Sequence, residues 1–425
     1  MYTQAQLNNL NVSLPRRGDI TIIYFMAAVT VYLSLLVVHY FDKSEVTKLV
    51  SNGVAFSIFA CLVPRLFSSS GRLVLHKHYV LALGLLIFGM LFSGVVNIGQ
   101  TEFADYLKMT IGPLFFVIGY RSSHINEFRG TARRQMLFLT TVIFALPVMI
   151  AVGEAAGWGA QFQDGQSVSI FSNRNNAALY AIVLSILFMI LNMRLRWLVV
   201  YLLAVAVLFG TLGVLLAVIL SIALVHLAKG RFIYLVTFSS LLLVSMIFMP
   251  DLPVIDRLSS LHAGLSHLFS SGEIWRVSDM SYGELSQVMG GSSDVSFFFR
   301  IKHWSELIGM YLNGSLEQIF FGHGVGSSVR DTSLSLVPHN DYLRYLYECG
   351  LLAFIGFLFL NLRIVKDMGS SYIAVPFLTV TLYFFSENLI NNFLAMMLYF
   401  FLAGFLIARK KAIAKLKVKH EYFAG

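Results

Sequence analysis

Long apolar runs separated by short polar segments dominate this chain. Windows of about 15 to 22 apolar residues have the length that a helix needs to cross a membrane, and roughly twelve follow one another. They lie near residues 19–41, 46–64, 79–97, 106–120, 135–153, 176–193, 196–210, 212–228, 232–249, 345–365, 372–387 and 392–408. The fourth and seventh are short, as is typical of tilted, re-entrant or merged spans. The pattern predicts an all-α polytopic membrane protein.

One segment departs from this pattern. Residues 250–344 form a connection of about 95 residues, far longer than the others, and loops of that size usually carry function. Leucines recur in it at helical spacing, at Leu258, Leu261, Leu265 and Leu268, and the stretch Phe297–Leu312 places Arg300, His303 and Trp304 on one face. We therefore divide the chain into spans one to nine (1–249), a helical cap (250–344), spans ten to twelve (345–408) and a basic tail (409–425).

Lysine and arginine set the expected orientation, because the cytoplasmic side of a membrane protein retains positive charge. Basic residues concentrate in alternate connections and in the tail, which holds Arg409, Lys410, Lys411, Lys415, Lys417 and Lys419. This distribution predicts that both termini lie in the cytoplasm and the cap in the periplasm. Much of the +9 net charge then reflects topology and attraction to anionic lipid, so no nucleic-acid partner is expected.

Composition agrees with a membrane protein and offers little cofactor chemistry. Hydrophobic residues make up 57% of the chain and charged residues 12%. Cys61 and Cys349 fall at opposite depths of their spans, which argues against a disulfide, and no Cys/His cluster has the spacing of a zinc site. Gly322–Gly326 reads Gly-His-Gly-Val-Gly but lacks the Lys-Ser/Thr of a nucleotide loop, so we interpret it as a turn. Contact between its amides and a diphosphate is the alternative. No metal and no cofactor are predicted.

Ionisable residues gather toward one face of the predicted bundle. Each costs roughly 2.5–3.5 kcal/mol at the centre of a span and is normally kept for a reason. Those near the outer ends are His39, Glu102, Asp105, Glu154, Arg174, Asp341, Arg344, Glu348 and Glu387. For any one of them alone, the alternative interpretation is a residue at the membrane interface that reaches water. Together they place any chemistry at the periplasmic face.

Several of these residues stand in a recognisable order. Arg300 with Trp304 precedes Phe321-Gly322-x-Gly324-x-Gly326, then His339-Asn340-x-Tyr342-Leu343 and Gly350-Leu351-Leu352, and Phe171-Ser172-Asn173-x-Asn175 opens an earlier span. Over residues 165–365 this resembles the O-antigen ligase and polymerase superfamily of bacterial envelopes. The resemblance implies a GT-C-like, metal-independent inverting glycosyltransferase of the bacterial inner membrane. It also implies a glycan donor on undecaprenyl diphosphate, a glycan or lipid A core acceptor, and a possible chain-length regulator as protein partner.

The sequence departs from that family at two places. Many members, ligases especially, have a Ser-Arg-Gly triplet at the outer start of a span, whereas this chain reads Gly210-Thr211-Leu212-Gly213 there. Either Arg174 or an arginine of the loop then supplies the missing charge, or the acceptor differs. Ala353 also stands where the family often has glycine, which concerns packing more than chemistry.

The reaction that the resemblance implies assigns candidate roles. A sugar hydroxyl needs a base, and His339 is the candidate, oriented by a carboxylate such as Asp341 or Glu348; otherwise it only ties the loop to the span. The departing diphosphate needs cations, for which the candidates are Arg300, Arg344 and Arg174, unless these only face solvent. Candidates for orienting groups or acceptor contacts are Asn340, Asp341, Tyr342, Glu348, Trp304, Asn173 and Asn175.

Within this family two functions stay open. A polymerase extends a glycan on one carrier with the next lipid-linked repeat unit, and a ligase moves the finished polymer to lipid A core. The missing triplet favours an O-antigen or exopolysaccharide polymerase. A lipid-linked glycan transporter is the alternative from another class, but its usual internal repeats and midplane charges are not evident.

Overall fold

The computed structural model describes residues 17–67, 75–122, 131–158, 168–191, 193–230, 253–277, 279–288, 296–369 and 372–424, and among them it is helical without a strand. The all-α prediction is therefore confirmed for this part of the chain. The α-helices are α1 Arg17–Asp42, α2 Glu45–Phe67, α3 Lys77–Val96, α4 Phe103–Ile111, α5 Phe115–Ser122, α6 Thr131–Ala155, α7 Arg174–Ile190, α8 Leu195–Leu208, α9 Leu212–Leu227, α10 Pro253–Ser271, α11 Tyr282–Val288, α12 Ser296–Leu312, α13 Leu316–Phe321, α14 Ser327–Arg330, α15 Asp341–Met368, α16 Ala374–Tyr383 and α17 Phe393–Ala424.

Membrane character follows from the length and composition of these helices. Five stretches of the described chain are long and apolar enough to cross a bilayer: Tyr24–Asp42, Glu45–Pro64, Lys77–Val96, Asp341–Met368 and Phe393–Ala414. Five shorter apolar stretches accompany them: Thr140–Ala155, Arg174–Ile190, Leu195–Leu208, Leu212–Leu227 and Ala374–Tyr383. The fourth predicted span is broken by a 3-10 turn at Gly112–Leu114, and the ninth, 232–249, lies outside the described residues.

The chain forms two compact units. The first contains residues 1–75, 115–144 and 400–425, and the second contains 76–114 and 145–399. In the first unit, the rings of Phe25 and Phe401 stack with centroids 3.7 Å apart. Gly119 and Gly404 let α5 and α17 touch, because a Cβ at either position would meet the backbone of the opposite helix. The second unit holds all the residues proposed for chemistry.

Helices α3 and α15 form the centre of the second unit through close backbone contact. A Cβ at Gly89 would lie 2.5 Å from the backbone nitrogen of Ala353, and a Cβ at Gly356 would meet the backbone of Leu86. Ala353 itself is fully buried. The alanine that departs from the family pattern is thus accommodated by a glycine on the partner helix.

Helix α15 is interrupted at Gly350, where φ is 80° and ψ is 177°. The break frees backbone carbonyls of the preceding turn: Tyr347 accepts from the amide of His323 at 3.0 Å, and Glu348 accepts from the amide of Gly324 at 2.9 Å and from Ser93 Oγ at 3.2 Å. The glycine-rich segment therefore lies against the broken helix. Its amides at residues 323 and 324 are already engaged by protein carbonyls, in line with the structural interpretation of that turn.

The relative depth of α3 and α15 follows from these contacts. Helix α3 has 20 residues and is about 30 Å long, which matches the hydrocarbon core of a bilayer. The contact between Ser93 and Glu348 aligns this part of α15 with the last turn of α3. Asp341 begins α15 two turns earlier, about 10 Å further along. The start of α15 thus rises beyond the end of the apolar span.

Replacing Gly350 by alanine tests this helix break. A residue with a side chain rarely adopts this backbone conformation, because it is sterically strained. A Cβ at position 350 would also collide with the Phe320 carbonyl. We expect Gly350→Ala to lower the free energy of unfolding by at least about 2 kcal/mol, measured by thermal unfolding in detergent. Gly84→Ala, on α3 with no atom within 4 Å of the added Cβ, is the matched control. Equal melting temperatures for the two variants would show that the break in α15 does not require glycine at position 350.

Candidate functional site

A buried carboxylate, Glu387, lies on the segment that follows α16 and is 4% exposed. Its Oε1 accepts from Arg300 Nη2 at 2.8 Å, and its Oε2 lies 2.9 Å from His339 Nδ1 and accepts from Asn175 Nδ2 at 2.6 Å. Three separate parts of the chain thus meet at one side chain: α12, the residue two places before α15, and the first turn of α7. We call Glu387, His339, Arg300 and Asn175 the Glu387 cluster.

His339 is held from both sides while its ring stays accessible. Trp304 Nε1 donates to the carbonyl of Pro338, directly before it, and Asn340, directly after it, caps α15 by accepting from the Leu343 amide at 3.0 Å. The backbone of His339 is left-handed, with φ of 49°. Its side chain is 38% exposed. With Nδ1 directed at Glu387, Nε2 is the ring nitrogen that remains for a substrate.

Asp341 braces the segment that carries Glu387. Its Oδ2 accepts from the amides of Leu389 and Ile390, at 2.7 and 3.1 Å, and its own amide donates to the Phe384 carbonyl at 2.8 Å. Asp341 is fully buried. The carboxylate that contacts His339 is therefore Glu387, where the sequence suggested Asp341 or Glu348. Asp341 instead contacts the backbone of the segment that carries Glu387 and holds that segment in place.

Arg344 belongs to a second group of charges. It is 1% exposed; its Nε donates to Glu348 Oε2 at 3.0 Å, and its Nη2 donates to Asp105 Oδ2 at 3.3 Å. Glu348 also accepts from Ser328 Oγ at 2.5 Å. Asp105 pairs with Lys108 at 3.1 Å as well. Burial opposes ionisation of Asp105, but Arg344 and Lys108 outweigh it and hold the pKa of this carboxyl below its ordinary value.

Arg344 is thus enclosed by carboxylates, whereas the other two predicted arginines lie at the Glu387 cluster. Arg300 is 25% exposed and contacts Glu387 directly. Arg174 is half-buried and precedes Asn175 at the start of α7. Both Arg174 and Arg300 are within electrostatic reach of Tyr383. Arg300 is therefore a member of the Glu387 cluster and Arg174 directly precedes another member, Asn175, whereas Arg344 is separated from solvent.

The remaining predicted residues have structural contacts. Tyr342 is 6% exposed and donates from its hydroxyl to the Thr381 carbonyl at 3.0 Å, which ties α15 to α16. Asn173 caps α7 by accepting from the Asn176 amide at 2.9 Å. The ring of Trp304 packs edge-on against Phe385. These side chains hold the Glu387 cluster in place, and Trp304 is the one among them whose position beside His339 also suits a sugar ring.

The start of α9, which follows Thr211, lies close to this cluster. A Cβ at Gly213, in the first turn of α9, would be 2.7 Å from Ser386 Oγ, so α9 begins beside the residue that precedes Glu387. Thr211 is buried there. The turn Gly210–Gly213 therefore lies beside the segment that carries Glu387.

Comparison with known proteins adds no family assignment. No protein-family model matches the chain, and no curated protein is significantly similar to it. Function must therefore be inferred from the Glu387 cluster. It combines an accessible imidazole, a buried anion beside that imidazole and a partly exposed guanidinium, an arrangement able to take a proton from a hydroxyl next to a bound anion.

Stability of the Arg344 variant tests whether this side chain is structural. Arg344→Met leaves Asp105 and Glu348 without their buried cation, and breaking such a pair typically costs about 3–5 kcal/mol. We expect a large fall in the thermal unfolding temperature of the purified protein. Lys108→Ala, which removes the partly exposed partner of the same aspartate, should cost less than about 1 kcal/mol. An Arg344→Met protein of normal stability that no longer binds a lipid diphosphate would assign Arg344 to the ligand instead.

Proposed function

We propose that this chain is a membrane glycosyltransferase that moves a glycan from undecaprenyl diphosphate to an acceptor sugar hydroxyl at the periplasmic face. One observation supports this function above others. His339 presents an accessible imidazole whose other nitrogen faces the buried Glu387, and Arg300 binds the same carboxylate. The reaction needs a base and a cation close together at a membrane edge, and the Glu387 cluster supplies both.

Proton transfer is the first requirement of this reaction. As the acceptor oxygen bonds to the anomeric carbon, its proton passes to Nε2 of His339 and the ring becomes a cation. Glu387, 2.9 Å from Nδ1, balances that charge and keeps Nδ1 as the protonated nitrogen, so that Nε2 is available as a base. Such a carboxylate–imidazole pair orients the ring and stabilises its charged form, as in other enzymes that activate a hydroxyl.

The second requirement is stabilisation of the departing diphosphate. The bond between the anomeric carbon and the diphosphate oxygen breaks, and the electron pair leaves with undecaprenyl diphosphate. Arg300 and Arg174 suit this group because a guanidinium keeps its charge and forms paired hydrogen bonds to phosphate oxygens. Arg344 is assigned a positioning role, since it is 1% exposed and its Nε and Nη2 already donate to Glu348 and Asp105.

The placement of the cluster relative to the apolar spans supports a lipid-linked donor. His339 lies two residues before α15, whose start extends about 10 Å beyond the level of Ser93 in the last turn of α3. A diphosphate at the bilayer surface lies at a similar level while its polyprenyl chain stays in the lipid. The five long and five shorter apolar helices of the described residues account for ten crossings. The proposed GT-C-like topology of about twelve spans, with termini in the cytoplasm and the cap in the periplasm, further counts the fourth window, which is broken at Gly112–Leu114, and the ninth window, which lies outside the described residues.

The acceptor distinguishes a polymerase from a ligase. We favour polymerisation of lipid-linked repeat units, as for O-antigen or exopolysaccharide, because Thr211 stands where ligases carry arginine. The ligase reading remains the alternative. Purified protein supplied with lipid-linked repeat units alone separates the two: chain growth indicates a polymerase, whereas transfer that requires lipid A core indicates a ligase.

The base role of His339 is tested in the same assay. We expect His339→Ala to lower the rate of glycan transfer by about 10²–10⁴-fold, the usual contribution of general base catalysis, while binding of the lipid diphosphate persists. Transfer is measured by gel analysis of the glycan, and binding by protection against thermal unfolding.

A histidine of the cap provides the matched control. His267 is exposed on α10, and His267→Ala should leave transfer unchanged. Equal activity of the His339→Ala protein and the parent would remove His339 from the base role. Loss of lipid diphosphate binding together with activity would assign His339 to binding.

A further inference from the structure

An apolar surface lies at the turn between α12 and α13, away from the residues proposed for chemistry. Leu312 at the end of α12 is 70% exposed, and Leu316 and Phe320, one turn apart on α13, are 74% and 41% exposed. Glu317 is the one charged residue between Leu312 and Phe321. We call Leu312, Leu316 and Phe320 the elbow surface. Three large apolar side chains this exposed need a nonpolar partner.

The elbow surface continues the exposed side of an apolar span. The next residue, Phe321, stacks on Phe92 of α3 with centroids 5.3 Å apart, and Phe92 packs on Phe88 at 4.3 Å. Phe88 and Phe92 are 47% and 43% exposed on α3, a helix long and apolar enough to cross the bilayer. The side of α3 that these rings occupy therefore faces lipid, and α13 lies directly against it.

The depth of this contact also agrees with a lipid partner. Phe92 is one turn before the end of α3 at Val96, about 6 Å inside the end of the apolar span. Helices that lie in the membrane interface bury their apolar face about 5–10 Å into the boundary between headgroups and acyl chains. By its contact with Phe92, Phe321 brings α13 to that level.

The backbone holds the elbow in this position. Ser315 and Gln318 form a reciprocal cap at the start of α13, and Tyr311 donates to the Ile319 carbonyl at 2.9 Å, which fixes the angle between α12 and α13. Gly322 then passes so close to α15 that a Cβ there would meet the Glu348 carbonyl. The elbow surface therefore lies on a turn whose backbone is fixed by these contacts.

We propose that the elbow surface inserts into the outer leaflet of the membrane and contacts phospholipid acyl chains. Helix α12 also carries Arg300 and Trp304, so lipid contact at its last residue sets the height of this helix above the bilayer. The elbow thereby helps to hold the cap at the membrane surface. This inference concerns the membrane contact itself and does not depend on the reaction proposed above.

Fluorescence quenching in lipid vesicles tests the insertion. A nitrobenzoxadiazole label is attached to Leu316→Cys in a Cys61→Ser background, where Cys349 is buried and unreactive, and the full chain is reconstituted in phosphatidylcholine vesicles. We expect vesicles brominated near the headgroup end of the acyl chains to remove about half of the emission, as the 5–10 Å depth of an interfacial helix requires. Deeper bromines should quench less, and aqueous iodide weakly.

Two further labels make the outcome decisive. Phe320→Cys should behave as Leu316→Cys does, which protects the test if one variant folds poorly. Ser333→Cys, exposed and hydrogen-bonded in the parent to Glu306 of α12, should respond to iodide and not to brominated lipid. Elbow labels that iodide quenches as strongly as the Ser333 label would overturn the proposal. Labels protected from both quenchers would overturn it too, since a protein surface would then cover the elbow.

Discussion

A buried negative charge must be neutralised locally, and at Glu387 this requirement organises the whole candidate site. The carboxylate is almost without solvent, so it depends on donors from the protein for its stability. Arg300, His339 and Asn175 provide them from segments 87, 48 and 212 residues away in sequence. Removing Glu387 would therefore release three parts of the second unit from one another. The same contacts place an imidazole and a guanidinium within reach of one substrate.

A second set of buried charges has a different role. Arg344, Asp105 and Glu348 pair almost completely among themselves, which leaves no group of the set with the accessibility of His339. They join α4 to the first turns of α15, while the break at Gly350 lets the glycine-rich segment bond to the same turns. The start of α15 is thus fixed from two sides. Asn340 and Asp341 then transmit that position to His339 on one side and to the Glu387 segment on the other.

Local patterns in the sequence were enough to predict much of the fold. Apolar windows anticipated the long helices, and the short fourth window coincides with the break at Gly112–Leu114. Helical spacing of leucines predicted α10, and the shared face of Arg300 and Trp304 predicted α12. His339, Arg300 and Asn175 were all named as candidates, from the motif order that carries the resemblance and from the groups that the implied reaction needs.

Long-range pairing was beyond the reach of these patterns. Glu387 stood among the outer ionisable residues, but nothing near it in sequence indicated which histidine it contacts. Arg344 was predicted to bind diphosphate because the departing group needs a cation, yet Asp105, 239 residues earlier, helps to enclose it. Such pairings depend on how the helices pack against one another. The spacing of residues along one sequence indicates local structure, but it does not show which distant helices are in contact.

Coupling between Glu387 and His339 is the central claim, and a double-mutant cycle measures it most directly. Glycan transfer is compared for the parent, Glu387→Gln, His339→Ala and the double variant, since glutamine keeps the shape of the side chain and removes its charge. If Glu387 acts through His339, Glu387→Gln slows transfer by about 10²-fold in the parent and has almost no further effect once His339 is alanine. Equal slowing in both backgrounds, or no slowing in either, would contradict the account.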